Sequence, residues 1–237
     1  MDKEIIMDKI SELRKGSPFL KKRRSDILYI TACTGQKKKD SEEIKAYERY
    51  IGQSSKKMLE FYAEEGSKIL DMYVMSAVYG FIPAEKNIKE YNITFSKNKQ
   101  NESWMNASFR RDMAKNLGLG DDFKKLLQNG YKLIILRLGG NYIDALNYGA
   151  PKEGYDTNGV KICYLGDDNK VKLSDKENST IKISVSRDDR TKKGRSNYNY
   201  QDKIWREFFE KNKDLSSDEI IQKVINSKNK NIKELLQ

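Results

Sequence analysis

The segment "YKLIILRLGG" (131–140) sets the tightest limit on what this chain can fold into. A strand with one solvated face alternates apolar and polar residues, whereas this run is apolar almost throughout. Such a run suits a strand covered on both faces, as in parallel sheets that lie between two layers of helices. "NYIDALNYGA" opens a short helix directly after it, so the chain passes from strand to helix across Gly139 and Gly140.

The alternation recurs along the chain. "DILYITACT" (26–34) reads as a strand of apolar and β-branched residues ending at Gly35, "DMYVMSAVYG" (71–80) as a second strand and "VKICYLG" (160–166) as a fourth. Between them, "SEEIKAYERYIGQSSKKMLEFYAEEG" is helical with an interruption near Gly52. "NESWMNASFRRDMAKNLG" and "DDFKKLLQNG" are helices ended by glycines. Strands separated by helices at these intervals predict an α/β fold, a mostly parallel central sheet flanked by helices.

Three segments follow from this pattern. Residues 1–25 comprise a helix marked by Ile6, Ile10 and Leu13 and a linker in which Lys21 to Arg24 either grip a phosphate or stay solvated. Residues 26–200 form the core domain, with "NSTIKISVS" alternating like an edge strand. Residues 201–237 form a helical C-terminal extension. It contains Trp205, Phe208 and Phe209, and the pattern Ser216-x-x-Glu219 announces a capping box.

Composition narrows the chemistry. The chain has no histidine and two cysteines, Cys33 and Cys163, which removes disulfide frameworks, His-based zinc sites and Ser-His or Cys-His nucleophile pairs. Any catalysis rests on carboxylates, amides, hydroxyls, Lys, Arg or Tyr, and no metal or cofactor is expected. The 46 Lys+Arg exceed the 35 Asp+Glu by 11, a balance that favours a polyanionic partner such as nucleic acid, or else a merely lysine-rich surface. "MDKEIIMDKISELRKG" is too acidic and too short in apolar residues for a signal peptide, and no run reaches the length of a membrane span. The expectation is a cytoplasmic protein without a membrane partner.

Ligands of open α/β sheets gather at the carboxyl ends of the strands, which singles out "TACTGQK", "SAVYGFIP" and "LGGNY". The first offers backbone N–H groups and the hydroxyls of Thr31 and Thr34, with Lys37 and Lys38 behind them, to an anion; it equally reads as a tight turn with a buried Cys33. In the third, Gly139 and Gly140 permit close backbone approach and Tyr142 could stack or hydrogen-bond at the mouth. In the second, Ser76, Tyr79 and Gly80 precede Pro83, and Tyr91 and Asn92 follow a dozen residues later. Aromatic faces beside an amide suit a nucleobase, and core tyrosines with satisfied hydroxyls are the competing account. "SRDDRTKKGRSNYNYQ" interleaves Arg187, Arg190, Lys192, Lys193 and Arg195 with Tyr198 and Tyr200. That mixture would contact a nucleic-acid backbone and stack on bases, unless it is a solvated loop. Asp188 and Asp189 within it could position a water.

The ordered motifs "YITACTGQKK", "AYERYIGQSSKKMLEFYAE", "VMSAVYGFIPAEKNIKEYNITF" and "LIILRLGGNYIDAL" resemble a poorly characterised bacterial and phage-associated domain family. Its pattern is a strand ending in a Cys/Ser-Lys loop, a Tyr-rich helix, a Ser-Ala-x-Tyr-Gly turn, a following Tyr-Asp and a late Gly-x-x-Tyr. That family is distantly similar to peroxide stress resistance proteins and to uracil-DNA-glycosylase-like domains, with antiviral modified-base DNA glycosylases as relatives. The resemblance spans about residues 26–166 and implies a three-layer, uracil-DNA-glycosylase-like fold. It implies a base pocket lined by Thr31, Cys33, Thr34, Tyr50, Ser76, Tyr79, Gly80, Tyr91, Gly139, Gly140 and Tyr142. Asn92 stands where the family has Asp.

Taken together, these readings predict a DNA N-glycosylase that flips a modified or damaged base and directs water to C1′, in antiviral defence or repair. Asn92, Asp188 and Asp189 are the candidate catalytic residues. Lys37, Lys38, Arg187, Arg190, Lys192, Lys193 and Arg195 are the candidate phosphate contacts. A non-enzymatic DNA-binding stress protein and an enzyme of small nucleosides or nucleotides are the alternatives.

Overall fold

The computed structural model of the chain describes residues 3–13, 20–96, 105–165, 171–184 and 197–236. Among these residues the central sheet has six strands: β1 (Ile27–Ala32), β3 (Asp71–Ser76), β4 (Gly80–Pro83), β6 (Leu133–Arg137), β7 (Lys161–Leu165) and β8 (Thr180–Ile183). Their order across the sheet is β4-β3-β1-β6-β7-β8, and all pairs are parallel except β3 with β4. Two two-residue strands, β2 (Ile44–Lys45) and β5 (Asn87–Ile88), pair separately. The chain therefore leaves β1 toward one edge of the sheet and returns to build β6, β7 and β8 on its other side. The reversal lies between β1 and β6, where two outgoing connections diverge and leave a crevice above the strand ends.

Helices cover both faces, giving the three-layer α/β architecture expected from the sequence. On one face lie α3 (Gln53–Glu64) and α8 (Asn197–Lys211), packed along each other with Phe61 stacked on Phe209 at 6.0 Å between centroids. Trp205 of α8 is fully buried and meets Tyr29 of β1 edge-on at 6.5 Å. On the other face α4 (Ala107–Asn116), α5 (Leu119–Gln128) and α6 (Gly140–Tyr148) contact one another, and Phe123 of α5 stacks on Phe81 of β4. Strand β6, the run that opened the argument, is buried along all five residues.

The stretch after β3 differs from the sequence reading. "DMYVMSAVYG" is not one strand followed by a turn. Ser76 ends β3, its Oγ accepts hydrogen bonds from the N–H groups of Val78 and Tyr79, both at 3.1 Å, and the chain reverses within three residues. Gly80 takes φ 73°, a left-handed value open to glycine at little cost, and pairs back with Ser76 to start β4. Pro83 closes β4, tolerated because β4 is the sheet edge and a missing N–H there breaks no further ladder.

The first and last described segments are built into this body. In α1 (Lys3–Leu13) Ile6 and Ile10 are buried, as their helical spacing predicts. The basic run after it is neither a free phosphate grip nor merely solvated. Lys21 pairs with Glu85 at 3.2 Å, Arg23 with Asp26, and Arg24 with both Asp71 and Glu85, at 3.2 and 3.0 Å. Asp71 also accepts from the Tyr131 hydroxyl at 3.0 Å, which ties this linker to the foot of the sheet. At the other end, α9 (Ser217–Asn226) carries the capping box read from the sequence. Glu219 N–H donates to Ser216 Oγ at 3.3 Å, and Ser216 N–H to Glu219 Oε2 at 2.8 Å. The segment after α9 lies along edge strand β8, with Ser184 donating to Lys230 O and Ile232 donating to Ser184 O. Among the described residues no helix is long and apolar enough to cross a membrane.

Candidate functional site

A cavity of about 310 Å³ opens at the reversal point between β1 and β6. Its walls come from the residues that follow the two strands, Cys33 to Gly35 on one side and Gly139 to Tyr142 on the other, with Ser55, Thr94 and Ser96 closing it. The local sequence explains why these residues meet. Thr31 is the register partner of Arg137, so both side chains project from the same face at the sheet's carboxyl end. Thr31 Oγ1 lies 2.9 Å from Ser55 Oγ, and Ser55 Oγ donates to Ala32 O at 3.0 Å, which docks the first turn of α3 onto the end of β1. Gly52, the residue before α3, donates its N–H to Thr34 Oγ1 at 3.2 Å. A Cβ at Gly52 would lie 2.5 Å from the Thr34 Cβ, so only glycine permits this approach.

Two helices therefore begin at the rim, α3 after Gly52 and α6 after Gly139, and neither has a side-chain cap. Their first-turn N–H groups give that end of the cavity a positive potential. The floor carries a true charge. Arg137 lines the cavity with only 3% of its surface exposed, and its Nε donates to Asp202 Oδ1 of α8 at 2.9 Å. The same Oδ1 accepts the Tyr29 hydroxyl at 3.0 Å, while Asp202 Oδ2 has no hydrogen-bond partner. Burial pushes the Asp202 carboxyl up to about 6, with Arg137 and Tyr29 opposing that rise. Burial likewise raises the Tyr29 phenol well above its ordinary range.

On the side wall, the Tyr142 hydroxyl donates to Cys33 O at 3.0 Å and lies 3.0 Å from Cys33 Sγ and 2.8 Å from Thr94 Oγ1. Beneath this wall is a closed layer of phenols. Tyr91 Oη lies 2.5 Å from Tyr50 Oη and 2.7 Å from Ser76 Oγ, and Tyr79 packs edge-on against Tyr91 at 5.5 Å. Burial raises the phenols of Tyr50, Tyr91 and Tyr142. Lys37 sits over the Tyr91 ring at 4.4 Å and donates to Thr34 O at 2.9 Å; burial lowers its ammonium.

The sequence candidates thus fall into several places. Cys33, Thr34, Gly139, Gly140 and Tyr142 line the cavity together, and Thr31 supports it through Ser55. Tyr50, Ser76 and Tyr91 form the buried layer behind it. Tyr79 instead lines a second hollow of about 340 Å³ between the end of α1 and residues 86–89, and its hydroxyl accepts from Lys89 N–H at 3.2 Å. Gly80 belongs to the hairpin, and Asn92 is exposed and not part of the cavity lining. Lys38 is exposed, 3.8 Å from Asp40. Arg187, Asp188, Asp189, Arg190, Lys192, Lys193 and Arg195 lie outside the described residues.

The sequence reading passed over Ser55, Thr94, Ser96, Asn141 and above all the Arg137–Asp202 pair. Its one legible trace was an arginine at the end of an otherwise apolar buried run. Among the described residues no group of His, Cys, Asp and Glu could hold a metal ion. What the fold and site define is an α/β protein with a cation-floored cavity at its switch point. Comparison with protein-family models, with curated proteins and with solved structures gives no match in any of the three.

Proposed function

We propose that this protein is a DNA N-glycosylase whose switch-point cavity receives a nucleotide turned out of the DNA stack. The observation that carries the reading is the cavity itself. It has the volume of a small-ligand site, stands where α/β sheets bind ligands, and has Arg137 and two uncapped helix starts on one side and hydroxyls on the other. The resemblance of the motif order to a domain family distantly similar to uracil-DNA-glycosylase-like domains, and the net charge of +11, support a nucleic-acid substrate.

In the proposed reaction the C1′–N bond breaks, water forms the new C1′–O bond, and the departing base keeps the bonding electron pair. The hydroxyls of Tyr142 and Thr94 hold the base edge, while Arg137 and the helix starts oppose the negative charge of a phosphate or of the leaving base. Asp188 or Asp189, in the basic segment that leads into α8, accepts the proton released by the attacking water. The setting is cytoplasmic, and the target is a modified or damaged base in phage defence or repair.

One observation favours a second reading. Among the described lining residues none is a carboxylate, so the cavity suits a free nucleotide as well as an extruded one. Incubation with phage DNAs carrying different base modifications, followed by mass spectrometry of released bases, separates the two. The glycosylase reading predicts a released base and an alkali-labile abasic site.

A further inference from the structure

Lys37 differs from the basic residue beside it. Lys38 is exposed and stands 3.8 Å from Asp40, whereas Lys37 is partly buried and, among the described residues, has no carboxylate partner. Its backbone is pinned, since Lys37 bridges antiparallel to Tyr50 and the next N–H, that of Lys38, donates to Arg49 O at 2.8 Å. The side chain is thereby directed over the rings of Tyr91 and Tyr50, with Nζ 4.4 and 6.0 Å from their centroids, and donates to Thr34 O at 2.9 Å. Thr34 belongs to the cavity wall, so the amine stands one hydrogen bond from the switch-point cavity and within electrostatic reach of Cys33. Two ring faces and a carbonyl hold an ammonium less firmly than a carboxylate does, and burial lowers this one, so more of it is free amine than in an exposed lysine. A free amine so placed is a nucleophile toward a carbonyl carbon. Base release creates such a carbon, because the sugar left behind opens to an aldehyde at C1′. Among the described lining residues none is a carboxylate, and a neutral amine needs none to activate it.

We infer that Lys37 is an amine nucleophile that gives this protein a second activity, cleavage of the DNA strand at an abasic site through an imine. The inference rests on the reading that the switch-point cavity receives a nucleotide of DNA. Nζ forms a bond to C1′ of the ring-opened sugar, the C1′ oxygen leaves as water, and the resulting iminium acidifies C2′. Loss of the C2′ proton to water expels the 3′-phosphate with the C3′–O electron pair. A second water hydrolyses the imine, which returns the lysine amine and leaves an unsaturated aldehyde on the DNA. The sequence of steps needs neither oxidant nor reductant.

The test supplies the abasic site ready-made. A duplex carrying one aldehydic abasic site is incubated with the full chain and sodium borohydride, which reduces an iminium to a permanent C1′–Nζ bond. After proteolysis, mass spectrometry of the peptides is expected to place the sugar adduct on Lys37. Without borohydride, strand cleavage on the 3′ side of the site is expected to fall about 100-fold or more in Lys37→Met and in Lys37→Arg. The arginine variant keeps the positive charge and cannot form the imine, so it separates a nucleophile from a mere phosphate contact. An adduct spread over exposed lysines such as Lys38 and Lys39, or no adduct at all, overturns the inference on the parent protein alone, whether or not the variants fold. Cleavage at the parent rate in a folded Lys37→Arg does so too. An adduct at Lys37 without base release from any DNA would remove the glycosylase reading and leave this inference standing. Base release without an adduct at Lys37 would do the reverse.

Discussion

Arg49 holds a long stretch of backbone in place. Its side chain is fully buried and donates to four carbonyls, those of Lys38, Asp40, Glu42 and Ile88, at 2.7 to 3.3 Å. It thereby fixes the loop over residues 38–42 that leads into α2 (Ala46–Arg49). Truncation leaves several buried acceptors unpaired, each worth about 1–3 kcal/mol, so Arg49→Ala should lose about 3 kcal/mol or more in urea unfolding. Asp202 gives a second residue-scale prediction, with a sign opposite to that of most aspartates. Its native carboxyl titrates at about 6 against an ordinary 3.8, so the folded state holds this proton where the unfolded state has released it. The stability it contributes is therefore full below about pH 4 and is lost as pH rises through about 6, a change of about 3 kcal/mol. Asp202→Asn should flatten that part of the stability-versus-pH curve. If the two proteins' unfolding free energies run parallel between pH 4 and 7, the carboxyl is not perturbed as described.

At the scale of elements, the pieces that could be read locally were read. β6 announced itself by an unbroken apolar run, α1 by Ile6 and Ile10, and α9 by its capping box, because each depends on neighbours within one or two turns. The hairpin of β3 and β4 was missed because the extended pattern continues through Ala77 and Val78, and only the Ser76 hydroxyl, bonding to the next two available N–H groups, reverses it. The site was half legible for the same reason. Residues that end strands, such as Cys33 and Gly139, could be assigned to one cavity by a topological rule. No local pattern could bring Asp202 of α8 to Arg137 of β6, nor set Tyr79 away from the cavity in a second hollow. The joint between β1 and α3 offers its own test. Gly52→Ala forces a Cβ against Thr34 and should cost about 1–3 kcal/mol, read as a lower urea midpoint with an unchanged slope.

At the scale of the whole molecule, the fold turns a diffuse basic composition into a specific arrangement. Lys21, Arg23 and Arg24, the first basic cluster in the sequence, are spent on Asp26, Asp71 and Glu85, so they hold the foot of the sheet together and are poor candidates for a partner. The opposite end of the sheet carries the cavity, with Arg137 beneath it. A nucleic-acid partner is therefore proposed to approach the carboxyl end of the strands. Its affinity should fall steeply with salt, as phosphate neutralisation requires. The most direct test of the central claim is base release. The purified chain, incubated with DNAs that differ only in base modification, should liberate one free base and leave alkali-labile sites, with a rate lowered about 100-fold or more in Arg137→Gln. No released base from any of these DNAs, under conditions where the protein is folded and binds DNA, would contradict it.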